Sequence, residues 1–257
     1  MAKRKGSGFC HICGNYRELT KEHTPMKEAF NKNSYISAGP KDIVQRIIDP
    51  LLTGTPPRGK VEQGGVSDYT LCGKCNNDTG SWYGGQYLSW CRKGMEILMK
   101  SGGRPSLIYI YNVYPLAIIK QISSLFCSIN PPTIAQRNAE LRKFLLDKEA
   151  KGLPQRFRYY CFFCIEDRNT AIGNAYMVNF ETGISIPISQ FSCPPFGYVM
   201  TINSKPPDRR LFEITHFSKY GYYEIVDMKL KINALTTDAI LPGLYFDNDE
   251  IRALEGN

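Results

Sequence analysis

The chain has 257 residues, 42% of them apolar and 22% charged, which is ordinary for a soluble globular protein of one large or two modest domains. No apolar run approaches the ~18 to 20 residues that span a bilayer, so a membrane-spanning helix is excluded. With 32 Lys and Arg against 24 Asp and Glu, the net charge of +8 is compatible with a polyanionic partner, nucleic acid first among them.

Residues 1–8 are small, basic and Gly-rich, and are expected to be disordered. Phe9 to Asn15 then forms a Cys10-His11-Ile12-Cys13 knuckle, with Gly14 where a tight turn wants a positive φ. Residues 16–23 read as short strands ended by Pro25, and carry Glu22-His23-Thr24-Pro25. Residues 31–66 are rich in loop signals, among them Gly39-Pro40, Asp49-Pro50 and Thr53-Gly54-Thr55-Pro56-Pro57. They read as an insertion, with a short helix or strand over 42–48 and with Arg46, Arg58 and Lys60 available to a phosphate backbone. A second knuckle follows at Cys72-Gly73-Lys74-Cys75, running into Asn76 and Asn77.

Four thiolates in two C-x2-C pairs match a closed structural zinc site, because the ion takes four tetrahedral ligands. Nine cysteines with no apolar leader before them point to a reducing compartment, and so to the cytoplasm, rather than to disulfides. Cys161-Phe162-Phe163-Cys164 lies in an apolar strand-like run without a partner knuckle and reads as buried core, as does Cys193.

From Asn76 to Lys100, Leu88, Cys91, Met95 and Leu98 recur at helical spacing beside Tyr87 and Trp90. Gly80, Gly84 and Gly85 weaken the first turns. Ser101-Gly102-Gly103 ends the helix, and a domain boundary is placed there, giving 1–100 and 101–257. The second part begins with a strand over 107–113. Pro115 suits the first position of a helix striped by Ile118, Ile122, Phe126 and Ile129. Another helix opens at Thr133, with Gln136 completing a capping box, and carries Leu141, Phe144 and Leu145 to Gly152. The period then becomes two: a buried strand over 157–165, a hairpin of 175–180 and 184–188 around Glu181-Thr182-Gly183, and a half-solvated strand in which Val226, Met228, Leu230 and Ile232 alternate with polar residues. The fold class is α+β, with two helices beside an antiparallel sheet after the zinc-bearing part.

The order C-x2-C, acidic-His-x-Pro, C-x2-C-Asn resembles the HNH (ββα-metal) endonucleases stapled by a four-cysteine zinc, over roughly the first 100 residues. The resemblance implies a ββα-metal fold and hydrolysis of DNA phosphodiesters with one divalent cation, Mg²⁺ or Mn²⁺. His23 then corresponds to the general base, and Glu22 and Asn76 to ligands of that cation. Asn occupies the Asn76 position in the HNH domain of RNA-guided CRISPR nucleases as well. Cys10, Cys13, Cys72 and Cys75 would hold the zinc. The family's middle Asn, which orients the base, falls at Ser67, with Asp68 beside it as the candidate replacement. Lys21, Lys27 and Lys74 are candidates for gripping phosphates. Nucleases of this type with an extra domain suggest an anti-phage or mobile-element setting, with a protein partner for residues 101–257. The rival readings are a non-catalytic zinc finger that binds nucleic acid and a protein adaptor.

Overall fold

A computed structural model describes residues 6–37, 39, 59–166, 169–178, 183, 185–237 and 240. The architecture is mixed α+β. Strands β1 (Ser7–Phe9), β2 (Tyr16–His23) and β5 (Ser67–Cys72) form a small antiparallel sheet in the order β1-β2-β5. A separate pair, β3 (Tyr35–Ser37) and β4 (Lys60–Glu62), closes the base of the segment read as an insertion. The element expected over 42–48, with Arg46 and Arg58, lies outside the described residues. Ser7 and Gly8, expected to be disordered, instead pair with Glu18 and Arg17. Leu19 lies against Gly8, whose missing side chain leaves room for it.

The first helix starts at the second knuckle rather than after it. Helix α1 (Gly73–Thr79) continues through a π-helical stretch, Gly80–Gly84, into α2 (Gly85–Met99). The glycines expected to weaken these turns mark the π stretch. The buried face runs through Tyr83, Tyr87, Trp90, Cys91, Gly94 and Ile97, so Leu88, Met95 and Leu98 lie at its margin. Gly94 is on this face because the Phe196 ring occupies the space of a side chain, 2.4 Å from where a Cβ would stand. Phe196 in turn stacks on Trp90 at 4.6 Å, and the Trp90 indole N–H donates to the Tyr198 hydroxyl at 2.9 Å.

A seven-stranded sheet fills the second half. Its order is β6 (Ser106–Val113), β12 (Val226–Leu235), β7 (Phe157–Cys164), β10 (Phe196–Ile202), β9 (Ser185–Cys193), β8 (Thr170–Val178), with the short β11 (Phe212–Glu213) also on β7. All pairings are antiparallel except β12 with β7, which is parallel. The β8–β9 hairpin forms as the sequence suggests, although most of its turn lies outside the described residues. On β12, Met228, Leu230 and Ile232 are buried while Asp227, Lys229 and Lys231 are exposed, the expected alternation. Strand β7 is covered on both faces. Tyr159, Cys161 and Phe163 join the main core, and Tyr160, Phe162 and Cys164 a smaller one with Ile188, Val199 and Leu235.

Helix α3 (Pro115–Ile129) begins at Pro115, as read. It does not present one apolar stripe; Pro115 to Ser128 are all buried. The helix packs against α2 and the π stretch, β5, the sheet, and the 3-10 turn Thr215–Lys219. Lys120, at its centre, is fully buried and donates to the Phe144 and Asp147 carbonyls at 2.5 and 2.6 Å. A cation at those carbonyls neutralises the open C-terminal end of a helix. That helix is not the single one expected from Thr133. It is broken into α4 (Thr133–Gln136) and α5 (Ala139–Leu146). No capping box forms: the Gln136 amide reaches instead to the Gly14 carbonyl at 3.2 Å, tying α4 to the first knuckle. The core is continuous across residue 100, containing Ile12, Leu71 and Trp90 together with Leu125, Phe126 and Tyr198. Among the described residues, no helix is long and apolar enough to cross a membrane.

Candidate metal centre and the polar site beside it

Cys10 and Cys13 stand on the turn between β1 and β2, Cys72 ends β5, and Cys75 lies in the first turn of α1. The turn is built by backbone bonds, Cys10 N–H to Asn15 O and Gly14 N–H to Cys10 O, each 2.9 Å, with Gly14 at φ 76°. The four sulfurs lie within 4.8 Å of one another and could hold a metal ion. Tetrahedral thiolates at zinc distance would be about 3.8 Å apart, so little movement closes the set. All nine cysteines are free thiols, so no disulfide competes. The Cys72 backbone N–H donates to Cys10 Sγ at 3.3 Å. The Cys10 thiol is held well below its ordinary range, chiefly by a hydrogen bond from the Cys75 thiol, which is itself pushed up. Cys10 thus favours thiolate, the form that ligates metal, while burial and the neighbouring thiols push Cys13 and Cys75 towards the neutral thiol. His11, between the two cysteines, is half-buried and places Nδ1 3.1 and 3.2 Å from the Cys127 and Ser128 carbonyls at the end of α3.

A second group of polar residues lies at the other end of the β2–β5 ladder, where β2 ends and β5 begins. A register shift between Thr20 and Lys21 bulges the ladder, after which Glu22 faces Asp68 and His23 faces Ser67. Thr20 and Glu22, two residues apart, share a sheet face. Asn76, in α1, covers that face, donating its amide N–H to Thr20 Oγ1 at 2.9 Å. The Glu22 carboxyl is pushed up to about 7 by burial, with no cation or donor among the described residues to offset it. His23 is half-buried; burial first, then the charges of Lys27 and Lys21, hold its pKa down, against a hydrogen bond to the Gly64 backbone. Its Nε2 is buried and makes no hydrogen bond. Asp68 is exposed and accepts the Tyr69 N–H at 2.8 Å. Lys21 and Lys27 are exposed, while Lys74 is already ion-paired with Asp78 at 2.5 Å.

The sequence reading missed the groups that frame His23, namely the Gly64–Val66 backbone and the Asn31 side chain, which donates to Pro25 O at 2.6 Å and to Val66 O at 2.9 Å. Asn31 fell at the start of the presumed insertion, and no local pattern sets it apart from other loop asparagines. His216, in the 3-10 turn, packs edge-on against Phe212 and Phe217. Cys161 and Cys164 are buried in β7.

The buried Glu22 gives a pH signature. The unfolded carboxyl titrates near 4.3, so below about pH 4 both states are protonated and the position costs nothing. Above pH 7 the folded wild type carries a poorly solvated charge, a penalty on the order of 1–3 kcal/mol after solvent screening. Glu22→Gln is therefore expected to be more stable than wild type at pH 8 without added divalent cation, and equal to it near pH 4. Thermal unfolding across that range checks this; a difference independent of pH would mean the carboxyl is well solvated.

The chain matches no protein-family model, no curated protein and no solved structure.

Proposed function

We propose that the chain is a metal-dependent endonuclease of the HNH type that hydrolyses DNA phosphodiesters. The observation that carries this reading is the unused Nε2 of His23, adjacent in sequence to Glu22, a half-buried carboxyl with no cation or donor partner among the described residues. A structural histidine satisfies both nitrogens, and a structural buried acid finds a partner. The order strand β2, strand β5, helix α1, with the base at a strand end and Asn76 in the first helix, also supports a ββα-metal arrangement.

Cys10, Cys13, Cys72 and Cys75 fit a zinc ion, filling all four positions so that this ion has none left for substrate. Glu22 and Asn76 offer oxygen ligands, which suit Mg²⁺ or Mn²⁺. That cation, when bound, supplies charge stabilisation at the leaving oxygen. Neutral His23 takes one proton from a water through Nε2. The water oxygen forms a bond to phosphorus, the P–O bond to the leaving sugar oxygen breaks, and that oxygen is protonated from solvent. Burial first, and then the charges of Lys27 and Lys21, favour the neutral imidazole, and the two lysines are available to phosphate.

Supercoiled plasmid incubated with the purified protein and Mg²⁺ or Mn²⁺ is expected to be nicked or linearised, and EDTA is expected to stop the reaction. Salt-sensitive DNA binding without cleavage would favour a binding finger instead.

A further inference from the structure

We infer that Asn31 is the positioning residue for His23, the part that neither Ser67 nor Asp68 supplies. This rests on the nuclease reading for its catalytic consequence but on geometry for its substance. Asn31 is fully buried, in the turn after Phe30, which adopts a left-handed backbone at φ 70°. Its amide nitrogen donates to Pro25 O at 2.6 Å and to Val66 O at 2.9 Å, and its Oδ1 accepts the Val66 N–H at 2.8 Å. Oδ1 also accepts from the Asn169 amide at 3.1 Å.

These are the two stretches that bracket His23. Pro25 is two residues beyond it on one strand. Val66 directly precedes Ser67, the residue paired with His23 across the ladder, and takes the Thr24 N–H at 2.9 Å. Gly64, whose backbone lies near the His23 ring, is two residues before Val66. One side chain therefore fixes both ends of the frame in which the imidazole sits, at the point where the strand ladder stops.

The fit is specific to an amide, since one group must donate twice and accept once at the same place. Aspartate keeps the shape and loses both donated bonds. Gly65 is fitted to the same residue. It lies at φ 90°, and a Cβ there would stand 2.1 Å from the Asn31 carbonyl oxygen.

The test compares Asn31→Asp and Asn31→Ala with Asn130→Ala in the full-length, metal-loaded protein. Asn130 is a matched control, buried and bonded to Phe126 O at 2.8 Å, the Asn174 N–H at 2.8 Å and the Ser189 hydroxyl at 2.9 Å. At a temperature where all remain folded, both Asn31 variants are expected to bind uncut DNA as wild type does. Their kcat is expected to fall about 10²-fold, the cost of a reacting group displaced by about 1 Å. Asn130→Ala should keep the wild-type kcat. Independently of cleavage, the NMR signals of the His23 ring should shift in Asn31→Asp and stay in place in Asn130→Ala. An unmoved ring signal in Asn31→Asp overturns the inference, as does an equal loss of kcat in Asn31→Asp and Asn130→Ala. If the wild type cuts no DNA, the nuclease reading fails, and the ring signal still decides the role of Asn31.

Discussion

Cys72→Ser is expected to abolish metal binding and to unfold the core that the two halves of the chain share. The four sulfurs come from three places in the fold: a turn after β1, the end of β5 and the first turn of α1. A structural zinc contributes ~10 kcal/mol or more of binding free energy, which here is folding free energy. Cys72 also lies at the junction of β5 and α1, its N–H bonded to Cys10 Sγ. A serine at this position offers a poor ligand and strands three thiols in a buried site. Metal analysis should give one zinc per wild-type chain and none in the variant, with loss of near-UV circular dichroism. Cys161→Ser, at an equally buried thiol outside the cluster, should cost only about 1–3 kcal/mol and keep the metal. Folded wild-type protein without bound metal, or a Cys72→Ser protein as stable as wild type, would sink the assignment.

His23→Ala is expected to abolish cleavage while leaving the fold, the zinc and DNA affinity nearly intact. The side chain is half-buried and its Nε2 bonds to nothing, so little structure depends on that nitrogen. Loss of a general base alone typically costs ~10² to 10⁴ in rate. Glu22→Ala should behave differently, because it removes a ligand rather than a base: higher Mg²⁺ or added Mn²⁺ should restore part of its activity, and His23→Ala should not respond. If His23→Ala cuts DNA as fast as wild type, in protein free of contaminating nuclease, His23 is not the base and the finger is a binding module.

The four cysteines could be read from the chain because ligand number and spacing are local facts that metal chemistry constrains tightly. The start of α3 at Pro115 and the alternation along β12 were equally legible, each resting on one-dimensional patterns. What could not be read depends on contacts distant in sequence. Strand β1 is too short to show a period and exists because β2 pairs with it. The all-round burial of α3 follows from layers on every side, and Lys120 sits there because α5 presents it with carbonyls. The break between α4 and α5 leaves Asn138 bonded to the Ile134 carbonyl and Arg142 to those of Ala135 and Gln136, contacts that propensity does not register. Asn31 reads as one more polar loop residue until Pro25 and Val66 are seen on either side of it.

His11 sits between two of the four clustered thiols, and its ring is bonded to the Cys127 and Ser128 carbonyls near the end of α3. The Thr70 and Ser128 hydroxyls meet beside it at 2.5 Å, and Gln136 holds the Gly14 carbonyl. The loop that carries Cys10 and Cys13 and the helix packed under the sheet are therefore tied together. Low-energy excursions usually let a surface metal knuckle fray by itself. Here fraying must also detach α3 and α4, so an ion held by the four thiols would leave with the cooperative unfolding of the whole core rather than in a local fluctuation.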